Sequence, residues 1–379
     1  MDKKESAIVP SQVISLVALS SVGIRLLALP SEVAQVVGRD GAIVTLIAGV
    51  IALGEVYILA RHCLRFPNQY YQETLYLVYG KILGHLFNGF LAILLTLVAG
   101  VALREFSATI RVTILNVTPP WVIWLTMLLT SCYLVSSGLE TMARLFDILL
   151  LLTLTVGSII AIVAIQQMEL TNLLPILAQK PVVIGKGVFV ALRAFQQFAI
   201  VAVLVPHLRH KRRYLSRAMV GMGVVVSFYT LAVLQCLAAF GPGETAFLTS
   251  PLLTLARAVD VPYSLIERLE ALLMTEWIPI GFALVSSHHY IIELFFSKVW
   301  HVPRRYRPIT ILFIAAAIGV IASLPRDITT NIRISDMLDF VTISIGVVFI
   351  PVTYLIAVIR GKRGEQDEGQ SPSRGRAES

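Results

Sequence analysis

Charge is what this chain has least of: 14% of its 379 residues are Asp, Glu, Lys or Arg, against about 25% in an average soluble domain. With 56% hydrophobic residues and a mean hydropathy of +0.80, a water-soluble globule is excluded. Cysteine is nearly absent too. Cys63, Cys132 and Cys236 are far apart and odd in number, which excludes a disulfide framework and a Cys-rich metal cluster. No Gly-rich phosphate loop occurs. The adjacent pair His288-His289 has no Cys, Asp or further His at the spacing a zinc site needs, and no nucleophile or base with an orienting partner accompanies it. No metal, no cofactor and no enzymatic activity are therefore expected, and both histidines are read as interfacial.

What the chain does have is apolar runs long enough to cross a hydrocarbon core, for which roughly 20 residues suffice. Ten are bounded by charges or turn residues: Ser11 to Ala34, Ala42 to Leu59, Ile82 to Leu103, Trp121 to Val135, Leu145 to Ile165, Val188 to Val205, Ala218 to Phe240, Leu265 to Phe295, Ile309 to Leu324 and Phe340 to Ile359. The expected fold is all-α, an integral membrane protein with ten transmembrane helices. An even number places both termini on one side. With the N terminus inside, twenty Lys and Arg fall in loops on that side and eight on the other. That asymmetry accounts for the net charge of +8 and makes the face carrying both termini cytoplasmic. Residues 1–10 are read as a cytoplasmic tail, 11–360 as the transmembrane domain and 361–379 as a disordered polar tail. The first span follows a Lys-Lys pair but is too long for a secretory signal and is read as retained.

Unpaired backbone is tolerated in a membrane only where protein buries it or it lines a cavity, so helix breaks point at sites. The first span carries Gly23-Ile24-Arg25 and then Pro30, and the sixth carries Arg193-Ala194-Phe195-Gln196-Gln197-Phe198. Gly permits unwinding, and Pro30 disfavours helix at Leu29; ordinary packing or a kink is the plainer account of either residue. Arg25 lies mid-span, where a charge costs at least about 2.5 kcal/mol, so it should face the bundle interior with a partner. Spans one and six hold corresponding places in two five-helix halves, the arrangement of an inverted-repeat transporter with its site at the midplane.

Span eight opens with Glu267-Arg268-Leu269-Glu270 and carries Thr275, Glu276 and Trp277, then Ser286 and Tyr290 one turn apart. Glu276 is read as the one acidic residue deep in a span, either a proton carrier or a satisfied hydrogen-bonding group. Glu267 and Arg268 form either an interfacial helix anchor or part of a coupling device.

These features resemble the B subunit of GerA-type spore germinant receptors, a branch of the amino acid, polyamine and organocation transporter superfamily. The likeness runs from about Ser11 to Ile359. Its marks are Gly23 to Pro30, Asn172-Leu173-Leu174-Pro175-Ile176-Leu177 followed by Gly187, Phe195 with Pro206, and Ile266-Glu267-Arg268 with Trp277. The resemblance implies a LeuT-type 5+5 inverted repeat with broken helices 1 and 6. It also implies the inner membrane of a bacterial endospore and action with an A subunit and a lipoprotein C subunit in detecting nutrients. Two departures remove charge from the implied site: Gln196-Gln197-Phe198-Ala199 stands where many relatives carry an acidic residue, and Ala283-Leu284 where many carry a Lys.

The expected ligand is a small polar nutrient, most often an amino acid, held by Gly23, Ile24, Arg25, Phe195, Gln196, Gln197, Thr275, Ser286 and Tyr290. Glu267, Arg268 and Glu270 are expected to couple binding to the partner subunits. The alternative is a proton-coupled amino acid permease, with Glu276 as carrier.

Overall fold

The computed structural model describes residues 8–258 and 269–364. Glu267 and Arg268 lie outside them, as does the tail from residue 365. The chain is almost wholly helical. The first half runs α1 (Gln12–Ser21), α2 (Leu29–Val37), α3 (Gly41–Arg65), α4 (Tyr71–Tyr79), α5 (Lys81–Thr113), α6 (Pro120–Ser137) and α7 (Leu139–Ala164). The second runs α8 (Pro181–Leu192), α9 (Tyr214–Phe247), α10 (Pro251–Ala258), α11 (Leu269–Val299), α12 (Arg307–Ser323), α13 (Ile328–Ser344) and α14 (Ile350–Ile359). A π segment, Ile345–Phe349, joins α13 to α14.

Among the described residues, eight helical stretches are long and apolar enough to cross a membrane. A count of ten rests on also counting the two interrupted elements, neither of which is a single helix. The chain is a multi-pass membrane protein, and its outward faces suit lipid: Ile82, Val112, Tyr133 and Ile359 are largely exposed, an arrangement that water would penalise.

The centre is built from α1 and α11. All of α1 except Ile14 is buried, and α11 packs against α1, α5, α6, α7 and α12. From Gly281 to Phe295 α11 is buried on every face but that of Phe282. Gly281 makes this possible, because a Cβ there would lie 2.1 Å from the Phe106 ring of α5. Phe106 in turn stacks on Trp277 with ring centroids 4.8 Å apart.

This packing corrects one expectation. His288 and His289 are buried, not interfacial. His289 lies with Nδ1 2.9 Å from Ser131 Oγ and Nε2 3.0 Å from the Ile311 carbonyl, tying α11 to α6 and α12. Both ring nitrogens are thereby engaged within the bundle.

Candidate functional site

Both expected breaks are present. α1 stops at Ser21, and Gly23 is extended (φ −98°, ψ 176°) before a 3-10 turn over Ile24–Leu26. α2 then begins at Leu29 with Pro30 in its first turn, where the missing N–H has no helical partner to lose. In the second half α8 ends at Leu192, and 3-10 turns follow at Arg193–Phe195 and Phe198–Val203. The chain beyond this second break is thus 3-10 rather than α-helical.

Tyr229 of α9 holds the two breaks together. The Gly23 N–H donates to its hydroxyl at 2.8 Å, and its ring meets Phe195 edge-on with centroids 5.1 Å apart. Sequence reading passed over this residue, because a Tyr in an apolar helix carries no signal of what it touches.

Five charged side chains converge beside the breaks. Arg25 donates to Glu32 at 3.1 Å, to Ser335 Oγ at 2.9 Å and to Asp339. Arg193 donates through Nε to the same Asp339 oxygen at 3.1 Å and through Nη2 to Asp336. One carboxylate on α13 therefore joins both interrupted elements. Charge-assisted bonds of this kind are about twice as strong as neutral ones, and the side chains of Arg25, Arg193 and Asp339 are only 12%, 16% and 10% exposed. Arg25 thus has the interior partners its mid-span position demands.

Against this cluster lies a cavity of about 40 Å³, lined by Gly23, Ile24, Arg25, Glu105, Ala194 and Gln197 among others. One water needs roughly 10–15 Å³, so the site in this conformation is closed to anything the size of an amino acid. Of the nine expected ligand residues, Gly23, Ile24, Arg25 and Gln197 line it. Phe195 is buried against Tyr229. Gln196 turns away and donates to Glu55 Oε2 of α3 at 3.1 Å. Glu55 is itself 4% exposed, so Glu276 is not the one deep acid in a span.

The three residues expected from span eight do not line the cavity. Thr275 is exposed and donates back to the Ala271 carbonyl at 2.9 Å. Ser286 is fully buried, and among the described residues its hydroxyl has no partner. Tyr290 lies with Oη 3.5 Å from His207 Nε2, which also sits 3.0 Å from Tyr70 Oη. The residue of α11 that does reach the cavity is Leu284. Closer to Ser286, Ser20 of α1 meets Ser287 with hydroxyl oxygens 2.6 Å apart, fixing α1 to α11.

Of the expected coupling residues, Glu270 accepts from Arg257 Nε of α10 at 2.7 Å. Glu276 belongs elsewhere: it lines a second cavity between α7, α9 and α11, and among the described residues its Oε2 has no hydrogen-bond partner. Among the described residues no group of three or more His, Cys, Asp or Glu is placed to hold a metal.

The fold matches a solved Na⁺-coupled sialic acid symporter in a substrate-bound outward-open state, with a TM-score of 0.63 and 12% identity over 91% of this chain and 78% of that one. Broken first and sixth spans around a central site are the LeuT-type architecture. Among sequence relatives, the spore germination protein YndE of Bacillus subtilis is 26% identical over 90% of this chain and 93% of its own. Spore germination protein A2 of Bacillus subtilis is 24% identical over 92% and 95%, and GerLB of Bacillus cereus 23% identical over 83% and 84%. The family model described as spore germination protein matches residues 7–331, and the chain belongs to that family.

Proposed function

We infer that this chain is the nutrient-sensing membrane subunit of a spore germination receptor, and that its ligand is a small polar nutrient, most simply an amino acid, bound between the two breaks. The observation that carries this reading is the cavity where unwound backbone at Gly23 and Ile24 meets Ala194, Gln197, Arg25 and Glu105. A zwitterion needs donors for its carboxylate and acceptors for its ammonium, and unwound helix ends with a flanking guanidinium and carboxylate supply both. Thr275 and Tyr290 drop out of the binding set, and Phe195 packs on Tyr229 beside the first break.

Entry requires the cluster at Asp339 to part, because the closed cavity is too small. Ligand binding then shifts the balance between parted and joined states by as much as its affinity differs between them. That shift is the signal passed to A and C subunits, with Glu267, Arg268 and Glu270 as the coupling group. The setting is the spore inner membrane, with both termini on the core side. No catalysis is involved.

The test is nutrient response in spores carrying Gly23→Trp, with subunit level and ligand binding measured alongside. Response and binding are both lost while protein level holds; an unchanged response would refute the site. The rival, a proton-coupled permease with Glu276 as carrier, is weakened by the place of Glu276 in a separate cavity. Rapid amino acid uptake by proteoliposomes containing this chain alone, abolished by Glu276→Gln, would restore it.

A further inference from the structure

The second cavity is larger and of opposite character. It encloses about 280 Å³, and its walls include Leu26, Ala161, Phe228, Leu252, Leu273 and Glu276. The walls are apolar apart from three residues, Ser158, Gln235 and Glu276. The Gln235 amide is already committed, donating to the Ala161 carbonyl at 2.8 Å. Glu276 is 2% exposed, and among the described residues its Oε2 has no hydrogen-bond partner. Gly157 lies beside the carboxyl on the cavity wall, where a Cβ would stand 3.4 Å from Glu276 Oε1 and 2.7 Å from Phe228 Cζ. The absence of that side chain lets Phe228 and the carboxyl pack close together on this wall.

A carboxyl held in an apolar, membrane-embedded space is costly unless something donates to it. Among the described residues no side chain or backbone group bonds that oxygen. We propose that this cavity is a second ligand site, separate from the one between the breaks, and that it takes a small primary amine on an aromatic or alkyl body. An ammonium brings three donors and the counter-charge that the wall lacks, while the apolar walls take the body. The volume fits: an apolar cavity of about 150 Å³ already accommodates benzene, so about 280 Å³ holds a ring with a short chain. Ile162 and Leu231, which also line the space, are 66% and 43% exposed on the outer faces of α7 and α9, so a lipid-partitioned amine can enter from the bilayer. Leu26 belongs to the 3-10 turn that also presents Ile24 and Arg25 to the first cavity, so an occupant here touches the unwound segment directly.

The probe is a benzylamine carrying a photoreactive diazirine on its ring, used on the full-length protein in lipid nanodiscs, with labelled peptides mapped by mass spectrometry. Labels are expected on residues of α7 and α9 that line the cavity, competed by excess benzylamine and not by benzyl alcohol or benzoate at equal concentration. Glu276→Gln, which keeps the shape and removes the charge, should cut labelling there at least fivefold. Ala161→Phe, which fills the space from its wall and spares the carboxyl, should abolish it. Labelling elsewhere only, labelling of Glu276→Gln equal to the parent, or equal competition by benzyl alcohol would each overturn the proposal. If Glu276→Gln does not give folded, monodisperse protein, undiminished labelling of Ala161→Phe overturns it alone. None of these readouts depends on nutrient response, so this site and the one between the breaks stand or fall separately.

Discussion

Asp339→Asn removes the one carboxylate that both interrupted elements share. In the parent it accepts from Arg25 and, at 3.1 Å, from Arg193, and the residue is 7% exposed. Deleting one partner of a buried pair costs about 3–5 kcal/mol. Arg25 retains Glu32 and Ser335, and Arg193 retains Asp336, so the lower end, about 3 kcal/mol, applies. At about 1.4 kcal/mol per factor of ten, the ratio of joined to parted states falls on the order of 100-fold. The assay is alkylation of Ala102→Cys, which lines the cavity, by iodoacetamide in a Cys132→Ser background; the other two cysteines are buried. The rate should rise on the order of 100-fold. Arg144→Ala is the control, since its pair with Glu140 is 71% and 35% exposed, and such surface pairs contribute about 0–1 kcal/mol. A rise below about threefold, or one matched by Arg144→Ala, would refute the idea that this cluster holds the site closed.

Other outcomes follow from the same packing. Gly281→Ala should destabilise by about 1–3 kcal/mol, because its Cβ would sit 2.1 Å from Phe106; a lowered Tm restored by adding Phe106→Leu checks this. Gly23→Ala should keep nutrient response, since the new Cβ would lie 3.4 Å from Tyr229 Oη, in ordinary contact, and loss of response with a normal Tm would count against the site as drawn. Glu270→Ala removes an exposed pair with Arg257, so protein level should hold while germination falls; a germination loss that tracks protein level would leave an anchor and no coupling. Asp327 caps α13 by accepting from the Thr330 N–H at 2.7 Å, and these Thr330 bonds hold its carboxyl below the usual range. Its contribution is therefore present above about pH 4, the ordinary carboxylate value, and is lost as pH falls through the lowered folded value. The Tm difference between the parent and Asp327→Ala should accordingly shrink from pH 6 to pH 3.

The two breaks were legible in the chain because each interrupts an apolar run with residues that lipid will not accept, and the demand of Arg25 for a partner followed from its depth. The partner itself was not legible. Ser335, Asp336 and Asp339 lie within about one turn of α13, but the apolar run begins at Phe340, so a reading by hydropathy leaves all three outside the span. Thr275 illustrates a different failure. Belonging to the same span as Ser286 and Tyr290 does not place it in the interior, because α11 is enclosed almost all round from Gly281 onward while its first turns are not. The burial of Ser286 therefore says nothing about the facing of Thr275, eleven positions earlier. Glu55 was overlooked in a run otherwise read correctly, and its tie to Gln196 joins two elements more than a hundred positions apart.

The π segment at Ile345–Phe349 sets the phase of the last membrane helix. On the near side of it, Asp339 answers to the two arginines; on the far side, Thr353 of α14 meets the Tyr79 hydroxyl of α4 at 2.9 Å. A π turn holds one residue more than an α turn, and each residue rotates a helix by about 100°, so the two anchors are served by one rod whose halves are deliberately out of step. Deleting a single residue within the segment would let the helix close into regular α form, and the rod would then be straighter yet unable to reach both clients. Gly346 lies at the bend, where a side chain would strike Gln196 and Glu55 at 2.8 and 2.9 Å, so the irregular turn also decides how closely the second break can approach α3.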